Sequence, residues 1–185
     1  VIKASSEHDG TVTNGMSYHA RDGRNANSAM LASVSFDSPQ KGLDFQRKLE
    51  QTAFRLGNGK APASLLKDYL NGEISKSFGH IKPTFLPGTE FCDFNTLFPK
   101  SVSDMLKTGL IEFGKRIHSD GQAVLTGVET RTSAPLRILR NPQTLESVGC
   151  AGLYPCGEGA GYSGGITSSA VDGIKVAEAI LERNI

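Results

Sequence analysis

Gly152-Leu153-Tyr154-Pro155-Cys156-Gly157-Glu158-Gly159-Ala160-Gly161-Tyr162-Ser163-Gly164-Gly165-Ile166 is the stretch on which the reading of this chain turns. Average usage predicts roughly 13 glycines in a chain of this length. The chain has 21, and eight of them fall between Gly149 and Gly173. Gly159, Gly161 and Gly164 match G-x-G-x-x-G. That fingerprint requires a further strand after its helix, ending in an acidic residue about 20 positions on. Here a helical pattern runs to Glu182 and the sequence stops at Ile185, so the dinucleotide reading is rejected. The physics of the turn stands without it. Glycines let a ligand approach the backbone, and a helix starting near Gly164 and Gly165 offers free N–H groups and the positive end of its dipole. Ile166, Ala170, Ile174, Ala177 and Leu181 are spaced 4, 4, 3 and 4 apart, which predicts a helix with that face buried. Glu158, between two glycines, is placed to accept hydrogen bonds from hydroxyls. The competing reading is a tight strand–helix corner that binds nothing.

Working outward, Ala151 to Cys156 reads as the strand that feeds this turn. Val1 to Ser5 and Thr11 to Thr13 read as two strands joined at His8-Asp9-Gly10. Asn14 to Ser28 is polar and reads as a loop. Met30, Ala32, Val34 and Phe36 alternate with Leu31, Ser33 and Ser35, the period of a half-buried strand. Ser38-Pro39 opens a helix with Phe45, Leu49, Ala53 and Leu56 on its buried stripe, ended by Gly57. A short helix is expected from Pro62 to Leu70, an extended segment over 73–98, and a helix from about Pro99 to Phe113. Ala123 to Glu129 and Leu136 to Leu139 read as strands. Hairpins mixed with helices point to an α+β fold with a mixed sheet, closed by a strand, glycine turn and helix, rather than to a doubly wound sheet.

Composition narrows the function classes. Of 185 residues, 38% are apolar, 20 are basic and 19 acidic, for a net charge of +1. Balanced charge disfavours both a nucleic-acid wrap and an acidic tail. No apolar run approaches the roughly 18 residues of a membrane helix. Three cysteines make a sparse, odd set, which disfavours a disulfide scaffold and points to a reducing cytoplasm. The chain opens at Val1 with a strand-like sequence, so a piece of a longer protein is the expectation.

Gly152 to Ile180 closely resembles the C-terminal end of a family of uncharacterised bacterial FAD-dependent dehydrogenases. These stand within the wider class of glutathione reductase-like and succinate dehydrogenase-like flavoproteins. Two further stretches resemble the same family: Thr13-Asn14-Gly15-Met16-Ser17-Tyr18 with Arg21-Asp22-Gly23 and Asn25-Ala26-Asn27-Ser28, and Leu125 to Pro135 through Arg137-Ile138. The resemblance implies a discontinuous FAD domain, left by the chain to build a substrate domain and rejoined by a final strand and helix. Residues 1–148 would form the substrate or interdomain α+β part, and 149–185 the return segment. It implies that Gly157, Glu158, Gly159, Gly164, Gly165 and Ile166 hold FAD. Glu158 would take the ribityl chain, and the Gly164 to Ile166 backbone would face the flavin. The expected function is hydride transfer through flavin to or from a small-molecule substrate, with NAD(P)H a candidate electron source. The glycine-rich strand–helix that binds the ADP half is missing from residues 1–60. The partner expected is therefore an N-terminal dinucleotide-binding section, and the isolated chain is expected to hold no FAD.

Other residues carry two readings each. Arg131, Thr132, Ser133 and Arg137 could hold an anionic substrate or the flavin edge, or belong to a solvated sheet edge. Arg21, Asn25 and Asn27 lie in a loop long enough to be functional, or in a plain surface loop. Cys156 reads as a small buried thiol rather than a redox group, because no C-x-x-C partner exists. His8, His19, His80 and His118 lack metal spacing. His19, in the candidate loop, reads as a general acid–base or as a turn histidine, and Tyr162 as a ring-stacking or proton-donating residue or as a packing one; no catalytic residue is assigned. The alternative function is a free-standing α+β binding module without redox chemistry.

Overall fold

Residues 1–4, 7–117 and 121–183 are described by the computed structural model, and they divide into two units. The first comprises Val1–Asp37 and Asp44–Thr130, the second Ser38–Leu43 and Arg131–Ile185.

The first unit opens on a hairpin of β1 (Ile2–Lys3) and β2 (Thr13–Asn14), with Ile2 opposite Asn14 and Lys3 opposite Thr13. Its tight turn is closed by Gly10 N–H donating to the Glu7 carbonyl, with Asp9 in the left-handed region at φ 55°. Helix α1 (Pro39–Leu56) starts where Ser38-Pro39 predicts, and the Ser38 hydroxyl accepts from Lys41 N–H at 3.4 Å. It stops at Gly57, where a Cβ would collide with the Lys60 carbonyl. A three-stranded mixed sheet follows. Its centre is β3 (Ala61–Leu65), parallel to β4 (Thr89–Phe91) and antiparallel to β5 (Val124–Thr126). Helix α2 (Leu66–Asn71) follows β3 directly and ends on Gly72 at φ 77°. A single 3-10 turn, Phe94–Thr96, and helix α3 (Lys100–Ile117) complete the unit. Leu49 and Ala53 from α1, Tyr69 from α2, and Cys92, Phe94, Leu97 and Val128 form one buried core.

Two expectations in this unit are corrected. The helix predicted from Pro62 begins only at Leu66, and its first half is β3. All five β3 residues are buried, so no polar alternation marks the strand. Pro62 is tolerated there because Ala61 N–H turns toward the Gly88 carbonyl, on the β4 side. Pro62 then faces the β5 side, where pairing begins only at Ala63. The alternating run Met30 to Phe36 is irregular, not a strand. Its alternation is real, but no neighbouring strand offers it a ladder, and Val34 and Phe36 stand about two-fifths exposed, at 40% and 41%. Of the predicted first strand, Ser5 lies outside the described residues, as does His118.

Besides the opening residues of α1, which fall within Ser38–Leu43, the second unit is one helix and a set of turns. Helix α4 (Ile166–Arg183) forms as expected, and it follows the glycine turn directly. The strands predicted at Leu136 to Leu139 and Ala151 to Cys156 are absent; the only pairing described is a single bridge between Arg140 and Ser147. These segments bond instead through scattered contacts, such as Ser147 N–H to the Leu153 carbonyl and Ile138 N–H to the Ala160 carbonyl. The predicted buried face of α4 is also overturned. Ile166, Ala170, Ile174, Ala177 and Leu181 are exposed, and the helix buries Val176 with half-buried Asp172 and Gly173 beside it. Among the described residues of this unit, only Ala160 and Val176 are buried hydrophobics. Among the described residues the architecture is α+β, with a mixed sheet and four helices. Among the described residues, no helix is long and apolar enough to cross a membrane.

Candidate functional site

The glycine turn is built from two kinds of glycine. Gly157 and Gly161 sit in the left-handed region, at φ 72° and 82°, where other residues are strained. Gly161 is also crowded, since a Cβ there would come within 2.5 Å of the Leu136 carbonyl oxygen. Gly159 and Gly164 have neither constraint, and a Cβ at either would meet nothing within 4 Å. Gly165 would meet only the Ser168 hydroxyl, at 3.5 Å. The chain's own conformation and packing therefore do not call for glycine at these three positions.

Two backbone hydrogen bonds close the turn, Gly161 N–H to the Glu158 carbonyl at 2.9 Å and Tyr162 N–H to the Gly157 carbonyl at 3.0 Å. The first α4 bond runs from Ser169 N–H to the Gly165 carbonyl, so the N–H groups of Ile166, Thr167 and Ser168 lie outside the helical ladder. Glu158 is half-buried, and its carboxylate takes no partner from the described residues.

Arg140, Asp172 and Tyr162, none of them predicted as anchors, hold the turn. Arg140 forks onto Asp172, with Nη2 to Oδ1 at 2.7 Å and Nη1 to Oδ2 at 3.0 Å, both side chains being largely buried. Nη1 also donates to the Pro155 carbonyl at 2.7 Å, and Gly157 N–H donates to Asp172 Oδ2 at 2.9 Å. The Arg140 guanidinium lies 3.7 Å from the centre of the Tyr162 ring. The Tyr162 hydroxyl donates to the Ile138 carbonyl and accepts from Arg140 N–H, each at 3.0 Å. The hydrogen bond from Arg140 holds the Asp172 carboxyl below the usual carboxylate range; burial opposes this and the Gly157 N–H assists it. The same bond raises Arg140. The one sequence signal for this cluster was a carboxylate two turns into α4, off the apolar stripe.

The remaining candidates divide between the units. Arg131 and Ser133 are exposed and Thr132 is half-buried, where a bend at Thr132 and Ser133 opens the long segment of the second unit. Arg137 donates from Nε to the Gly161 carbonyl at 2.8 Å, which joins it to the turn. Arg21, Asn25 and Asn27 belong to the first unit. Asn25 and Asn27 use their amide N–H groups on the Lys82 and Met16 carbonyls, at 2.7 and 3.1 Å, which ties the long loop down. Arg21 is exposed, at φ 55°. Cys156 is exposed, contrary to the buried thiol expected, because no strand forms there to cover it. Cys92 is the buried cysteine, and burial pushes its thiol up to about 11, with the Asp93 charge adding to the effect.

Residues 1–132 match the family model described as FAD-dependent protein, C-terminal domain-like. The chain belongs to this family. The match ends two residues beyond the first unit, so the glycine turn lies outside the matched residues. An uncharacterised protein of Clostridium beijerinckii is 49% identical over 192 residues, covering 99% of this chain and 36% of its own length. The chain thus spans about a third of that relative, and the family is the only functional statement the two comparisons carry.

Proposed function

We propose that the chain is the substrate domain and flavin-facing tail of an FAD-dependent oxidoreductase of the bacterial dehydrogenase type. Its partner is a dinucleotide-binding section carried elsewhere in a longer cytoplasmic protein. Gly157, Glu158, Gly159, Gly164, Gly165 and Ile166 would hold FAD, which supplies hydride transfer when bound. Arg131, Thr132 and Ser133, or Arg21, would meet a small anionic substrate, with NAD(P)H as electron source.

The observation that carries this reading is the turn itself. Glu158 offers a carboxylate with no partner from the described residues, and it stands beside Gly159, which like Gly164 and Gly165 is a glycine that the chain's own conformation and packing do not call for. An exposed helix N-terminus completes the donor set: the carboxylate suits ribityl hydroxyls, and the N–H groups suit the electron-rich edge of a flavin. The second unit supports the same reading from its packing. Ile166 is 93% exposed and Leu181 65%, and a unit with two buried hydrophobics among its described residues lacks a core of its own. Further chain covering this face would complete it.

The test is FAD titration of the full-length protein and its Glu158→Ala variant, alongside melting of the cofactor-free forms. The wild type should carry flavin absorbance near 450 nm, roughly as flavins do in general. A charged hydrogen bond contributes about 1.5–3 kcal/mol, so the variant should bind FAD one to two decades more weakly. Its cofactor-free melting should be unchanged. Equal FAD binding by the variant would remove the ribityl role, and much earlier melting would make Glu158 a structural anchor.

A further inference from the structure

We propose that Arg140, Asp172 and Tyr162 are positioning residues that hold the glycine turn in its binding shape. The inference rests on the flavin reading of that turn. A run with glycine at 157, 159, 161, 164 and 165 loses much conformational entropy when it is held in one shape. The network fastens it at both ends. Arg140 takes the Pro155 carbonyl at the entry, Asp172 takes the Gly157 N–H, and Tyr162 is fixed at the exit by its hydroxyl and by the cation over its ring. Arg137 fastens the Gly161 carbonyl, and Ile138 N–H takes that of Ala160. Between Gly157 and Ala160, Glu158 and Gly159 are free of side-chain or cross-segment anchors among the described residues, which leaves them to face a ligand.

The ion pair is placed unlike the others. Arg140 and Asp172 are 10% and 14% exposed, whereas Lys60 with Glu90 and Arg47 with Glu7 all exceed 40%. A buried pair adds little net stability over apolar residues of the same size; its attested value is in fixing one geometry. Here that geometry is the backbone on either side of Glu158. Loss of the network would leave Glu158 present and misplaced, and binding weakens when a contact is held loosely.

The experiment uses the full-length protein with Asp172→Asn and Tyr162→Phe, each alone and combined with Glu158→Ala. FAD affinity is measured well below the melting temperature, and hydrogen exchange at Gly157 N–H is followed without FAD. Asp172→Asn should weaken FAD binding by about tenfold and speed Gly157 exchange. In the Glu158→Ala background it should change affinity less than about twofold, because its effect passes through that carboxylate. Tyr162→Phe keeps the ring under Arg140 and loses only the hydroxyl bonds, so it serves if Asp172→Asn fails to fold. It should show the same pattern at smaller size. A lowered melting temperature with unchanged FAD affinity would overturn the inference and leave the flavin reading intact, as would equal weakening in both backgrounds. A wild type that binds no FAD would overturn the flavin reading and this inference with it.

Discussion

The two units solve the same problem with opposite means. The first buries apolar side chains: Leu49, Ala53, Tyr69, Leu97 and Val128 meet around a mixed sheet whose central strand has no exposed residue. The second has almost nothing to bury among its described residues and is held by polar contacts, with Arg140 and Asp172 at their centre. Hydrophobic packing tolerates many arrangements of similar volume, whereas a forked ion pair with backbone partners accepts one. The contrast teaches where each kind of order is used. The first unit carries a buried core of its own. The second is held in one shape by hydrogen bonds and an ion pair.

The largest test of that contrast lies in the apolar side chains. Leu97→Ala removes a side chain that is 2% exposed in the first core, and should cost about 2–5 kcal/mol in denaturant unfolding. Ile174→Ala, at a position 59% exposed, should cost less than about 0.5 kcal/mol in the 185-residue chain. In the full-length protein the Ile174 change should become costly, because the proposed partner section covers it. An equal, small cost in both would break the reading of the second unit as part of a larger fold.

Next in size are the two kinds of glycine. Gly161→Ala meets both a left-handed φ and the Leu136 carbonyl, and should destabilise the chain by more than about 1 kcal/mol. Gly159→Ala should lie within about 0.5 kcal/mol of wild type. With FAD present in the full-length protein, the order reverses in meaning: Gly159→Ala should weaken binding while stability stays put. Thermal melts and FAD titrations of the two variants separate these outcomes.

The smallest effect is that of pH on the second unit. The folded Asp172 carboxyl lies below its unfolded value of about 3.9. Its stabilising contribution is therefore complete above that unfolded value, and is lost as pH falls through the lower folded one. The Gly157 amide resonance should stay constant from neutral pH down past the usual carboxylate range and move only below it. In Asp172→Asn the low-pH step should vanish. A Gly157 shift centred near pH 4, roughly the unperturbed value, would mean that the fork onto Arg140 is not formed in solution.

What the sequence disclosed follows from how local each feature is. The α1 helix was legible from Ser38-Pro39, the stripe at spacings of 4, 4 and 3 from Phe45 to Leu56, and Gly57, all within one segment. The β3 strand was not, because burial on both faces removes alternation and Pro62 imitates a helix start. Met30 to Phe36, Leu136 to Leu139 and Ala151 to Cys156 have strand composition, but a strand exists only with a neighbour, and composition does not supply one. The α4 helix was legible as a helix, yet its stripe from Ile166 to Leu181 shows only which face suits burial, not what buries it. At the turn, the position of Glu158 was readable from its flanking glycines. The anchor was not, since Arg140 and Asp172 are 32 residues apart and meet only in the fold.

The bond from Thr13 N–H to the Val128 carbonyl, 2.8 Å long, has a topological consequence. Lys3 pairs with Thr13 on one side of β2, and Val128 bonds to it on the other. Lys3 and Val128, near the first and last residues of the first unit, thus lie two strand spacings apart, roughly 10 Å. A body whose entrance and exit are neighbours can be spliced into a surface turn of a host fold without prising that fold open. In the longer protein proposed above, the host's path would then be interrupted in sequence and nearly continuous in space.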